Sequence, residues 1–442
     1  MTDVPSADSS APSSVRWRIV ALLAAFSFMS YFTRVGIAVA GEPIRRQFGL
    51  TPTEFGSVVS SLLFGYTLFM IPGGWLADRI GPKRALTMMG VGSAVFCGLT
   101  GVVGAADLAA GASALLVLLV AVRGLLGVFT APLYPAAGRM VAQWIPLDGR
   151  ALANGLVIGA VPLGAALPWL LFARFMDAYG WPLAFVATSF VTFLLTAVWA
   201  WYAADHPYRH RSARALVHRG VESSQAAAAV EPELALRSPP TPWSNLLRNR
   251  SLLLLTVSYS AVGYFQYVFY YWMGYYFEKV LKLPTDQARI YTMLPPLAMI
   301  AGMPIGGWIA DRLSRRMGHR TGRALVSGLG LLFSAICLVI GVQMESPPVI
   351  LGWFTVALAG SGMCEGPVWA TVVEIGGLRG SMAGAIANTG NNAFGALSPI
   401  LTPLVGNLFG WPYALGLASC VCLIGAIAWL WIDPEERVGQ NH

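Results

Sequence analysis

Apolar runs of about twenty residues, the length that crosses the hydrocarbon core of a bilayer as a helix, alternate along the chain with short polar or charged clusters. Cutting at those clusters predicts twelve spans. They fall near residues 17–40, 53–77, 85–105, 113–137, 150–174 and 182–203, then 251–277, 288–310, 323–343, 348–372, 382–406 and 411–432. The first run lacks a convincing cleavage site and reads as a retained helix, not a signal peptide. Residues 1–15, made largely of Ser, Ala, Pro and Asp, read as a tail, and residues 434–442 as another. The polar stretch 205–249, which includes RHRSARALVHR and SPPTPW, reads as a cytoplasmic linker between bundles at 16–204 and 250–433. One amphipathic helix on the membrane surface is compatible with its composition.

The two bundles repeat one another. Pro72–Arg79 (PGGWLADR) returns as Pro304–Arg312 (PIGGWIADR). Thr130-Ala-Pro-Leu-Tyr134 aligns with Glu365-Gly-Pro-Val-Trp369, and Ala153-Asn154 less closely with Ala387-Asn388. Halves of this kind are the expected plan of an alternating-access carrier. The predicted fold class is therefore an all-α membrane protein, with twelve transmembrane helices in two pseudo-symmetric six-helix bundles.

Charge sets the orientation. Of the 29 Lys and Arg, six (Arg45, Arg46, Arg174, Lys279, Lys282, Arg289) fall in outer loops and two (Arg34, Arg123) within spans. The others lie on the side of the termini, so both termini are cytoplasmic by the positive-inside rule. A net charge of +8 with 56% hydrophobic and 11% charged residues reflects that rule and anionic headgroups, not a nucleic-acid partner, since no basic run is interleaved with aromatics. The five cysteines lie in apolar runs without metal-ligand spacing and read as packing residues. The five histidines fall in loops or the tail, so neither a metal nor a cofactor is expected.

Gly74-Trp-Leu-Ala-Asp78-Arg79-Ile-Gly81-Pro-Lys83-Arg84 is the most specific motif, with a degenerate twin carrying Asp311 and Arg312. Its glycines permit close helix approach and a sharp turn, while Asp78 can accept from backbone N–H groups or pair with an arginine. These residues are expected to act in gating. Arg34 and Arg123 lie well inside their spans, and a buried guanidinium suits a bidentate anion; snorkelling and a structural pair are the respective alternatives. In Tyr264-Phe-Gln266-Tyr267-Val-Phe-Tyr270-Tyr271-Trp272, part is expected to face lipid and one stripe to line a cavity. Asn388, Asn391 and Asn392 in the eleventh span serve either interhelical packing or substrate binding. Glu365 is an intramembrane carboxylate, functional by default, and reads as a proton-coupling candidate or as half of a lasting ion pair.

Taken together, Tyr31-x-x-Arg34, FGYTLFMIPGGWLADRIGPKR, RGLLGVFTAPLYPAAGRMVAQWIP, YVFYYWM and GNNAFGALSPILTPLVG resemble the anion:cation symporter branch of the major facilitator superfamily over essentially the whole chain. The resemblance implies that Arg34 and Arg123 are ligands of a substrate carboxylate, joined by Tyr66, Gln266 and Asn391 or Asn392. Proton-coupled bacterial members carry an Asp before the first arginine and a Glu seven residues after the second. This chain has Thr33 and Thr130 there, which points to Glu365, the pseudo-symmetric counterpart of Thr130, as a relocated acid.

The expected function is secondary transport of a small organic anion by a monomer in the lipid bilayer of a bacterial inner membrane, with H+ as a coupling partner. Uniport, exchange and export of a metabolite or drug are the alternatives. The expected substrate contacts are Arg34, Arg123, Tyr31, Tyr66, Tyr264, Gln266, Tyr267, Tyr270, Trp369, Asn388, Asn391 and Asn392. No nucleophile–His–acid set, phosphate loop or metal box argues for an enzyme.

Overall fold

A computed structural model describes residues 13–105, 111–146, 149–207, 210, 243–377 and 380–436. Most of the predicted linker and of both tails lies outside the described residues. Eleven helices among the described residues are long and apolar enough to cross a membrane. The remaining predicted span, the eleventh, is divided into Gly380–Gly395 and Ser398–Leu408.

The breaks follow the prolines. A proline within a helix cannot donate to the carbonyl four residues back, and its ring crowds that carbonyl. Pro399 follows the break in the eleventh span, and Pro168 sits in the tight turn Leu167–Trp169 that interrupts the fifth. The fourth span breaks between Thr130 and Leu133, beside Pro132, and the tenth between Gly362 and Glu365, before Pro367. The fourth and fifth spans are thus interrupted like their repeat partners, the tenth and eleventh.

Close backbone approach builds each half. A Cβ at Gly127 would overlap the Leu62 carbonyl oxygen, so the second and fourth helices touch backbone to backbone. Gly306 meets the Met363 carbonyl in the same way and joins the eighth helix to the tenth. In a bilayer, where apolar burial does not drive helices together, small residues at such crossings are what allow tight packing. The seventh helix is the most enclosed: Ala261 to Gly274 are all buried. The aromatic run there corrects the expectation that part of it faces lipid, because this helix sits inside its half and packs on every side.

The signature loop is held as the motif predicts. Gly81 adopts φ 86°, a left-handed conformation that suits glycine, and the Asp205 carboxylate accepts from the Lys83 N–H at 2.8 Å. Asp78 pairs with Arg139 in the fourth span. Asp311 has a different setting, because the repeat counterpart of Arg139 is Glu374, which pairs with Arg323. Arg79 and Arg312 each lie over a tryptophan of their own motif, Trp75 and Trp308, at 4.2 and 5.8 Å. Gly74 packs against Pro135, beside the break of the fourth span.

At the outer end the halves are joined. Asp177 pairs with Arg289, and Glu42 with Lys279 at 3.4 Å. Ser60 donates to the Ala396 carbonyl at 2.7 Å, and Phe55 packs edge-on against Trp272. The two ion pairs and the Phe55–Trp272 contact border a vestibule of about 340 Å³. The ion pairs named at the cytoplasmic end stay within one half. The protein is therefore closed at the outer face.

Partial burial would raise the Glu42 carboxyl, but the Arg46 hydrogen bond with Lys279 and Arg45 holds it below its ordinary value of 4.5. The contribution of Glu42 to closure is therefore fully present above that value and lost as pH falls through the lowered one. Glu42→Gln at neutral pH should mimic the acid state. A cysteine at Ala38, which lines the vestibule, should then react about twofold faster with an impermeant thiol reagent, a small effect in keeping with a partly exposed, solvent-screened pair. An unchanged rate would remove Glu42 from the latch.

Candidate functional site

Arg34 lies in the last third of the first helix, Ser13–Val39, and is 1% exposed. Its guanidinium sits 4.9 Å from the Tyr31 ring centroid and 4.1 Å from that of Tyr66 on the second helix. Cation–π contact accounts for part of its stabilisation. None of its three guanidinium nitrogens, all buried, makes a well-formed hydrogen bond or meets a carboxylate among the described residues; the nearest polar neighbour is the Tyr66 hydroxyl. A buried cation normally pairs with an acid or with several acceptors. Five N–H donors in a rigid fork are therefore left without an acid partner among the described residues.

Arg123 is just as buried but differently used. Its Nη1 and Nη2 donate to the Thr33 and Arg34 carbonyl oxygens, each at 3.3 Å, and only Nε lacks a partner. It braces the turn of the first helix that carries Arg34. The sequence assigned both arginines the same role; in the structure they differ in their hydrogen-bond partners.

Thr33 and Thr130 add no charge and no donor to the space. The Thr33 hydroxyl donates to the Ser30 carbonyl at 3.0 Å, and that of Thr130 to the Leu126 and Gly127 carbonyls at 2.9 Å. Both are back-bonded into their own helices, a common use of buried threonine.

The second half faces this cation with a polar network. Glu365 is 6% exposed; its Oε2 accepts from the Tyr259 hydroxyl at 2.9 Å and its Oε1 from Gln266 Nε2 at 3.1 Å. Trp369 Nε1 donates to the Tyr259 oxygen at 3.2 Å. Glu365 is thus held by donors within its own half, not by an arginine of the other. Tyr267 donates to Asn392 Oδ1 at 2.8 Å, Asn392 donates to Asn388, and Asn391 donates to the Tyr259 carbonyl at 2.7 Å.

Two contacts bring the halves together around the site. The Tyr31 ring packs edge-on against Tyr270, 6.2 Å between centroids, and Asn388 adjoins Tyr66. Arg34, Tyr31, Tyr66, Tyr267, Tyr270 and Asn388 therefore share one seam, with Glu365, Gln266 and Trp369 behind Tyr270. Tyr264 is set apart: its ring packs on Phe394. Gln266, Asn391 and Asn392 are occupied by protein partners, which makes them supports of the site in this conformation. Asn388, partly exposed, is the amide of the three that borders open space.

The sequence reading missed Tyr259, which joins Glu365, Trp369 and Asn391. Helical spacing carried the signal, since Tyr259, Gln266 and Tyr270 fall at i, i+7 and i+11 on one face. It also missed Ser27 and Tyr134, whose hydroxyls lie 3.1 Å apart beneath the site.

Known proteins share this architecture. The chain is 27% identical to the probable sulfoacetate transporter SauU of Cupriavidus necator, over 96% of this chain and 97% of that protein. It is 26% identical to a D-galactonate transporter of Escherichia coli, over 99% and 100%. Among solved structures, a bacterial homologue of the human lysosomal transporter Spinster, inward-facing and occupied, superposes with a TM-score of 0.75 at 14% identity, covering 97% and 100% of the two chains. The sequence profile of the Major Facilitator Superfamily matches residues 20–392. The chain belongs to the Major Facilitator Superfamily and is a multi-pass membrane transporter, not an enzyme.

Proposed function

We propose that the protein carries a small organic anion, a carboxylate such as a sugar acid or a short-chain or aromatic acid, across a bacterial inner membrane by rocking of its two halves. The observation that supports this most directly is the Arg34 guanidinium, buried without an acid partner or a well-formed hydrogen bond among the described residues. An oxyanion in the seam would accept the bidentate fork that the protein leaves unused. Tyr31 and Tyr66 would flank the bound group, and Asn388 would meet its hydroxyls from the other half. Relatives named for sulfoacetate and galactonate transport favour the anionic class. An exporter of bulky apolar compounds would have little use for a buried unpaired cation.

Proton-coupled uptake by a monomer is the energetic mode in this proposal, with Glu365 as the coupling acid. It is a buried carboxylate near the site, and a proton bound there makes the seam more positive and so favours the anion. In proteoliposomes, wild-type protein should accumulate substrate when a proton gradient is imposed. Glu365→Gln should abolish that accumulation while keeping substrate-induced thermal stabilisation. Gradient-driven accumulation by the variant at the wild-type level would rule Glu365 out as the coupling group.

A further inference from the structure

The buried seam contains two guanidiniums and one carboxylate: Arg34 at 1%, Arg123 at 0% and Glu365 at 6% exposure. No ion pair joins Glu365 to either arginine among the described residues: the acid accepts from Tyr259 and Gln266, and Arg123 donates to backbone carbonyls. Thr33, next to Arg34 in the chain, and Thr130, two turns after Arg123, are neutral and bonded to their own helices. The empty seam is therefore net positive whether or not Glu365 holds a proton.

That surplus matters most at one step. During reorientation the seam is shut on both sides, and water cannot solvate the charge. An uncompensated buried ion then carries a desolvation cost that a bound counter-ion removes. We propose that the protein is a fast anion exchanger and a slow net transporter. With Glu365 deprotonated, a bound monoanion neutralises the seam and lets it close in both directions. Net proton-coupled uptake instead moves a positive seam on both legs, loaded with anion and proton or empty. This rests on the anion-carrier reading and adds to it the identity of the slow steps, the return of the empty carrier among them. A carrier with its own acid beside Arg34 would be neutralised from within when empty and would lack this asymmetry.

The test uses purified full-length protein in proteoliposomes, with the membrane potential clamped and D-galactonate and sulfoacetate as probes. Initial uptake of labelled probe is measured into vesicles preloaded with the same unlabelled probe and into empty ones. Preloading should speed uptake by about tenfold or more, which corresponds to ~1.4 kcal/mol between the loaded and empty barriers. Thr130→Glu places a carboxylate two turns along the Arg123 face of the fourth helix, and Thr33→Asp places one next to Arg34. In whichever variant folds, the preloaded-to-empty ratio should fall towards one because empty return speeds up. Equal rates in wild type overturn the inference and leave the carrier reading standing. So does an unchanged ratio in a variant that transports. Failure of wild type to move either probe, or normal transport by Arg34→Gln, strikes the carrier reading instead.

Discussion

Arg34→Gln should bind substrate more than 100-fold more weakly than wild type and yet unfold at the same temperature or a higher one. The affinity loss follows from two charge-assisted hydrogen bonds, each worth about 1.5–3 kcal/mol, which the neutral amide cannot replace. The stability effect has the opposite sign from the usual buried-arginine case. Removing one partner of a buried pair leaves the other unpaired and typically costs several kcal/mol. Arg34 has no such partner, since it meets no carboxylate among the described residues and its neighbours are the Tyr31 and Tyr66 side chains. Arg34→Lys keeps the charge but loses the planar fork, so it should retain binding at about a tenth of the affinity. Arg123→Gln should separate the two roles, because it frees the Thr33 and Arg34 carbonyls and should lower the unfolding temperature as well as affinity. Titration calorimetry and thermal unfolding on the same preparations check all three. A large fall in the stability of Arg34→Gln would show that Arg34 is structural.

Much of this was written in the sequence because the bilayer allows few solutions. The span pattern follows from hydropathy and the repeat from its paired motifs, and the repeat sets Glu365 opposite Thr130. The isolation of Arg34 was also half legible, since Thr33 and Thr130 are neutral where charge would be expected. What could not be read were the pairings across distant segments. Gln266 and the three asparagines look like free amides in a linear sequence, and only the folded chain shows Gln266 on Glu365 and Asn391 on the Tyr259 carbonyl. Nor could sequence separate Arg123 from Arg34, because the acceptors that occupy Arg123 are main-chain carbonyls, present at every residue. The outer latch was hidden for the same reason: Asp177 and Arg289 are ordinary loop-end charges until the halves close.

Gly56→Val should nearly abolish transport without unfolding the protein. Gly56 lies near the outer end of the second helix, where a Cβ would overlap the Pro399 carbonyl oxygen at the break of the eleventh. This crossing joins the two halves and is part of neither bundle. Overpacking of this kind costs about 1–3 kcal/mol, and here the cost falls on the outer-closed state alone. The outward-open state relieves the clash, so the population of closed carriers should fall by about tenfold to 100-fold, and the transport rate with it. Gly127→Val is the matched control, because its overlap with the Leu62 carbonyl lies within the first half and persists in both states. That variant should lose unfolding temperature, whereas Gly56→Val should keep it and label faster at a cysteine introduced at Ala38. Wild-type transport by Gly56→Val would mean that the second and eleventh helices need not meet. A stability loss matching that of Gly127→Val would mean that the crossing belongs to the static fold. Only intact stability with lost transport makes the Gly56–Pro399 approach a moving part of the cycle.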